Sequence, residues 1–166
     1  MPAFVCFAED GGDGRFLQPL PSPTNQYTTS LDSNEGKQVN AGITFFYYED
    51  IALAAKFYTE VMGFKMIDDQ GWAKIFQING SAFMGVVDGK KGLCRVQDEN
   101  AVLLTLVVDD VDEWYTYLKD QGAALVTEVQ GKEDIQIRCF FLRDPGGYAL
   151  EVQQFLHPEV AQAFCG

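Results

Sequence analysis

The sequence predicts an α+β fold built from two βαβββ units, and three observations predict it. A strand that runs into a capped helix occurs twice: the β-branched and aromatic run 43–48 stops at Glu49-Asp50, and the apolar run 103–108 stops at Asp109-Asp110. A shift of 60 residues carries Ile43 onto Leu103, Asp50 onto Asp110, and the helical stripe 51, 54, 55, 58 onto 111, 114, 115, 118. Between Pro23 and Pro145 there is no proline, as expected of a continuous body of strands and helices.

In the first unit (41–90), Ile51, Ala54, Ala55, Tyr58, Val61 and Met62 form the buried stripe of a helix that ends at Gly63. Strands are predicted over 63–67, 73–78 and 82–87, with turns at Asp68-Asp69-Gln70-Gly71 and Asn79-Gly80. In the second unit (101–155), Asp110 and Glu113 have capping-box spacing, and Val111, Trp114, Tyr115 and Leu118 repeat the stripe up to Gly122. Strands over 124–129, 136–142 and 147–153 complete it, with a charged loop from Glu128 to Asp134. Residues 1–40, rich in Gly, Pro, Ser, Thr and Asn, read as an extension packed on the body or on a partner subunit through Phe4, Phe7, Phe16 and Tyr27. Residues 41–156 form the domain, and 157–166 are a tail.

The last hairpin, residues 138–154, is the most specific stretch. Asp144-Pro145-Gly146-Gly147 suits a type II turn with a two-residue loop. That loop would set Leu142 opposite Ala149, Phe140 opposite Glu151 and Arg138 opposite Gln153, all on one face. Each unit has one helix on one face of its sheet, so the other faces are free to curve around a shared space. Alternation along the first strands puts Ile43, Phe45 and Tyr47, and by the repeat Leu103, Thr105 and Val107, on that side. The hairpin adds Arg138, Phe140, Ala149, Glu151 and Gln153. Such an apolar and aromatic face with a few polar groups has the make-up of a small-molecule pocket, and equally of filled core. Glu151 is costly there unless paired, and Arg138, diagonal to it in this register, is the natural partner.

Composition narrows the chemistry. The 166 residues are 47 % hydrophobic, enough for one well-buried domain. No apolar run approaches the ~20 residues that span a bilayer. The first ten residues have no basic n-region, so a soluble, cytoplasmic protein is expected. Cys6, Cys94, Cys139 and Cys165 lie far apart and read as reduced structural thiols. The formal charge of −12, with scattered bases, argues against nucleic acid; it favours solubility and would attract a cationic ligand. The single histidine, His157, excludes metal sites that need two or three imidazoles from one chain. A Ser-His-Asp arrangement would have to use His157, and no G-x-S-x-G elbow accompanies it.

The duplicated unit, the stretch Glu-Asp-Ile-Ala-Leu-Ala-Ala-Lys-Phe-Tyr-Thr-Glu-Val-Met-Gly-Phe at 49–64, Val-Asp-Asp-Val-Asp at 108–112 and Asp-Pro-Gly-Gly-Tyr-Ala-Leu-Glu at 144–151 resemble the vicinal oxygen chelate superfamily of glyoxalases, extradiol dioxygenases and fosfomycin and bleomycin resistance proteins. The resemblance implies paired βαβββ units in a cupped, incomplete mixed barrel, usually closed by pairing units between chains, hence a homodimer. In the metal enzymes of that superfamily the ligands stand at equivalent cavity-facing positions. Here those positions hold Ile43, Leu103 and Met84 (give or take one residue), and only Glu151 matches. One carboxylate supplies a small part of a divalent cation's coordination, so no metal and no cofactor are expected. The preferred reading is a non-metal protein that sequesters an aromatic or cationic organic molecule, as bleomycin resistance proteins do. Ile43, Phe45, Tyr47, Trp72, Met84, Leu103, Thr105, Arg138, Phe140, Glu151 and Gln153 are its candidate binding residues. The alternative is a metal-dependent lyase, isomerase or dioxygenase of the same superfamily.

Overall fold

The computed structural model describes residues 39–164. Expectations for residues 1–38 therefore lie outside the described residues. The first repeat runs β1 (Gly42–Tyr48), α1 (Ile51–Lys56), a π-helical turn (Phe57–Val61), β2 (Lys65–Asp69), β3 (Ala73–Asn79) and β4 (Ala82–Asp88). The second runs β5 (Leu103–Val107), α2 (Val111–Asp120), β6 (Ala124–Leu125), β7 (Gln130–Lys132), β8 (Ile137–Arg143) and β9 (Ala149–Phe155), followed by α3 (Pro158–Gln162). No helix among these residues is long and apolar enough to cross a membrane.

The helices α1 and α2 begin as their cap residues dictate. The Asp50 carboxylate accepts the Leu53 amide at 2.9 Å, and the Asp110 carboxylate accepts the Asp112 and Glu113 amides at 3.0 Å. α1 widens into a π turn, where Met62 donates to the Phe57 carbonyl. β2 and β9 each start and end two residues later than expected, β2 taking in Asp68 and Asp69 of the expected turn, and a third strand is largely replaced. Residues 124–129 give only the two-residue β6, and the charged segment read as a loop contains β7, which pairs with β8. Backbone groups on the exposed flank of β8 select β7 although its residues have no strand-like pattern.

The strands form a four-stranded sheet, β1-β4-β3-β2, and a five-stranded sheet, β5-β9-β8-β6 with β7 on β8. The two sheets are not closed into a barrel. The repeat is visible in the pairing, since β1 lies parallel to β4 as β5 does to β9. The helix-bearing faces of both sheets share one core, which joins Phe46, Tyr58, Met84 and Phe76 to Leu118, Phe140, Leu142 and Val152. Burying these faces together removes the largest apolar area from water and leaves the two helix-free faces outside that core.

Candidate functional site

The last hairpin decides which side chains share a face with Glu151. Gly147 donates to the Asp144 carbonyl at 3.0 Å, and Asp144 donates to the Tyr148 carbonyl at 3.1 Å. The positive φ falls on Gly147 (83°) and not on Gly146. This is a three-residue loop, a tight turn followed by a left-handed glycine, in place of the expected two-residue type II loop. The extra residue moves the register by one. Leu142 faces Leu150, Phe140 faces Val152 and Arg138 faces Gln154, whereas Phe141 faces Glu151 and Cys139 faces Gln153.

A one-residue slip exchanges the two faces of a strand. Arg138 and Phe140 therefore lie on the helix side. The Arg138 guanidinium makes two hydrogen bonds, 2.5 and 2.9 Å, to the Asp112 carboxylate on α2, and the fully buried Phe140 ring meets Tyr115 edge to face at 5.2 Å. Neither shares the face of Glu151, and the expected Arg138–Glu151 pair does not form. Met84 is likewise core: it pairs with Thr44 and Phe76 and is fully buried. Its neighbours Phe83 and Gly85, paired with Ile43 and Phe45, take the helix-free face.

On the second sheet the helix-free face is centred on Glu151. Parallel pairing sets Leu103, Thr105 and Val107 beside Ala149, Glu151 and Gln153. The Thr105 hydroxyl donates to the Glu151 carboxylate at 2.8 Å. Cys139, which sequence reasoning assigned no role on this face, lies beside it on β8, next to the facing Phe141. Burial first, then the hydrogen bond to Glu151 and that carboxylate's charge, push the Cys139 thiol's pKa up, while Lys132 opposes them. The thiol stays protonated at neutral pH and can donate to Glu151, and it is not poised as a nucleophile. Alternation would have found Cys139 and Phe141 had the loop been read one residue longer.

On the first sheet, Ile43 and Phe45 are 43 % and 42 % exposed, an unusual state for large apolar groups in mid-strand. The Phe45 ring covers Gly85, close enough that a Cβ on Gly85 would lie 2.3 Å from it. By the repeat, Phe45 and Gly85 pair as Thr105 and Glu151 do. Where the second sheet has a carboxylate, the first has a glycine under an aromatic ring. Tyr47, on the same face, is covered by the loop that follows β4, where Gly92 packs against its ring and against Val87. Trp72 precedes β3 at the Gly71 turn and is 42 % exposed.

The two repeats are tied by a second buried acid. Asp144 is 4 % exposed, deeper than Glu151 at 8 %. Its carboxylate accepts the Tyr48 hydroxyl at 2.6 Å and the Tyr58 hydroxyl at 2.8 Å, together with the Gly146 and Tyr148 amides at 2.9 Å. The turn was legible as an Asp bonding its own backbone, but its two tyrosine partners come from the other repeat and carry no local signal. Tyr148 adds a strap: its hydroxyl accepts from the Tyr47 amide and donates to the Tyr47 carbonyl on the edge strand β1.

A family model described as the Glyoxalase/Bleomycin resistance protein/Dioxygenase superfamily matches residues 41–152, spanning both repeats. The chain belongs to this superfamily. A comparison with curated proteins gives no match. Among solved structures, a glyoxalase/bleomycin resistance protein/dioxygenase from Nocardioides is similar at 15 % identity and a TM-score of 0.62, covering 74 % of this chain and 86 % of that one. The lactoylglutathione lyase of Agrobacterium tumefaciens is similar at 22 % identity and 0.57, covering 71 % and 96 %. The fosfomycin resistance protein FosX of Listeria monocytogenes is similar at 14 % and 0.60, covering 74 % and 98 %. At these identities the likeness establishes the glyoxalase-type fold.

Glyoxalase-superfamily metal enzymes imply a cation on these faces, and the residues here do not fit one. Among the described residues no three His, Cys, Asp or Glu side chains gather so as to hold a metal ion. Glu151 has a hydroxyl and a protonated thiol beside it, and the matching positions of the first sheet offer Ile43, Phe45, Phe83 and Gly85, none of which carries a donor side chain. Hard and borderline divalent ions require several oxygen or nitrogen donors.

Proposed function

We propose that this chain is a small-molecule binding protein of the glyoxalase/bleomycin resistance type that sequesters an aromatic or cationic organic compound without a resident metal. The observation that carries this reading is the Phe45 ring lying over Gly85, an aromatic floor at the position equivalent to the Glu151 carboxylate. A planar ligand would stack on Phe45, and Glu151, held by Thr105, would favour a positive group. In this reading Ile43, Phe45, Leu103, Thr105, Glu151 and Gln153 line the site together with Cys139 and Phe141, and Tyr47 and Trp72 stand at its margin.

The closed cup needs two chains in this reading. The helix-free face of the first sheet leaves Ile43 and Phe45 in water, and that of the second leaves Leu103 and Val107 there, at 48 % and 38 % exposure. β1 and β5 each end a sheet with one unpaired edge. A homodimer that sets the first face of one chain against the second face of its partner would cover both. Light scattering should give a dimer, and Leu103→Asp should weaken it. A melting-temperature screen against aromatic and cationic compounds, bleomycin-like glycopeptides included, tests binding, because a ligand of the native state raises apparent stability by mass action. Stabilisation lost in Phe45→Ala is the expected result. An unchanged melting temperature across the panel would overturn the proposal.

A further inference from the structure

The duplication builds one cleft twice, and the second copy has become a different kind of pocket. At the end of β1, Tyr47, Tyr48, Glu49, Asp50 and Leu53 line a cavity of about 390 Å³ with Pro145 and Gly146, from the β8–β9 turn. At the end of β5, Val107, Val108, Asp109, Asp110 and Glu113, the same five positions moved by 60, line a cavity of about 690 Å³. Asn79, beside the β3–β4 turn, takes the place of Pro145 and Gly146. The chain after each last strand covers the cleft: Val96 to Asp98 in the first, Ala161 and Phe164 in the second.

Three substitutions between the copies explain the difference. Tyr48 fills the first cleft by packing on Gly146, where a Cβ would meet its ring at 2.5 Å, and its counterpart Val108 is too short to do so. Leu53 becomes Glu113, and Ala54 becomes Trp114, which forms a wall of the larger cavity. Phe155 and Phe164, stacked with centroids 5.0 Å apart and planes at 12°, give a second aromatic surface. The lining contains no Lys, Arg or His; Arg138, paired with Asp112, acts on Asp110, which already caps α2, whereas neither Asp109 nor Glu113 has an ion pair among the described residues. The volume falls within the usual range for small-molecule sites, and aromatic faces beside carboxylates are how proteins hold organic ammonium ions.

We infer that this cavity binds a small aromatic cation, with its ammonium head between Asp109 and Glu113 and its ring against Trp114 and the Phe155–Phe164 stack. Glu151, Thr105 and Cys139 do not line it; Val107 does and also belongs to the face that the proposed dimer covers, so Glu151→Gln is the variant that separates the two sites.

The test uses the full chain carrying Trp72→Phe, so that tryptophan fluorescence reports Trp114 alone. Benzyltrimethylammonium, benzyl alcohol and phenylacetate serve as cationic, neutral and anionic probes. The cation should change the fluorescence saturably, the alcohol should bind more weakly, and phenylacetate should not bind. Glu113→Gln and Phe164→Ala, both at exposed positions, should each weaken the cation by roughly three- to tenfold with the melting temperature retained. Glu151→Gln should leave this binding unchanged. Equal affinity for cation and anion, affinity insensitive to both variants, or no saturable binding of the cation up to about 10 mM would each overturn the inference.

Discussion

The Tyr48 hydroxyl donates a 2.6 Å hydrogen bond to the Asp144 carboxylate across 96 positions of sequence, and Tyr58 joins it at 2.8 Å on the same oxygen. Three buried polar side chains thus pin the end of β1 and the π turn to the β8–β9 loop, in a region where an unsatisfied carboxylate is costly. Tyr48→Phe removes one donor and leaves the ring in place. It should destabilise the protein by roughly 1–3 kcal/mol in urea unfolding. Tyr48→Phe/Tyr58→Phe should cost more than the sum of the singles, because the last donor to that oxygen is then lost.

The same cluster sets an alkaline limit. Burial is the largest cause raising both tyrosine pKa values, and the Asp144 charge adds to it. A group whose folded pKa is raised contributes stability that is complete below its unfolded pKa. That contribution is lost as pH rises above it, since the unfolded chain gives up the proton first. Stability should therefore fall from about pH 10, the ordinary tyrosine value, upward. In Tyr48→Phe the fall should be shallower, as urea midpoints measured at a series of pH values would reveal.

Gly85→Ala places a methyl group where the Phe45 ring lies. The ring is half-exposed and can swing off the strand, so the stability cost should be only roughly 1 kcal/mol. Affinity for aromatic ligands should fall together with that of Phe45→Ala. In the double variant the two effects on binding should not add, because both act through the same ring.

The thiols should differ in reactivity. Cys94 is exposed, whereas Cys139 is 1 % exposed and protonated beside Glu151. Under limiting iodoacetamide at neutral pH, peptide mapping should find Cys94 alkylated well before Cys139. Labelling of Cys139 at a comparable rate would contradict its buried place beside Glu151.

Arg138 belongs to α2 through Asp112 and not to Glu151. Arg138→Ala should leave ligand-induced stabilisation unchanged, while Glu151→Gln should weaken cationic ligands more than neutral ones. Elemental analysis of protein purified without chelator should find no stoichiometric zinc, nickel, iron or manganese.

Sequence by itself determined the periodic features: the repeat, both helix caps, the apolar stripes, and the alternation that sets Ile43, Phe45, Leu103 and Thr105 on one side of their strands. These depend on neighbours three, four or two residues away, and residue type records such relations directly. Tertiary structure decided the rest. A loop of three residues instead of two reversed the sides of Arg138, Phe140, Cys139 and Phe141, because both loops satisfy the same Asp-Pro-Gly-Gly chemistry and the register follows from burying Phe140 and Leu142 in the shared core. The partners of Asp144, the cover of Phe45 on Gly85 and the opening of the second cleft at Val108 join residues far apart in the chain. Strand pairing and the closing of one core around both helices bring them together, and no local pattern encodes those contacts.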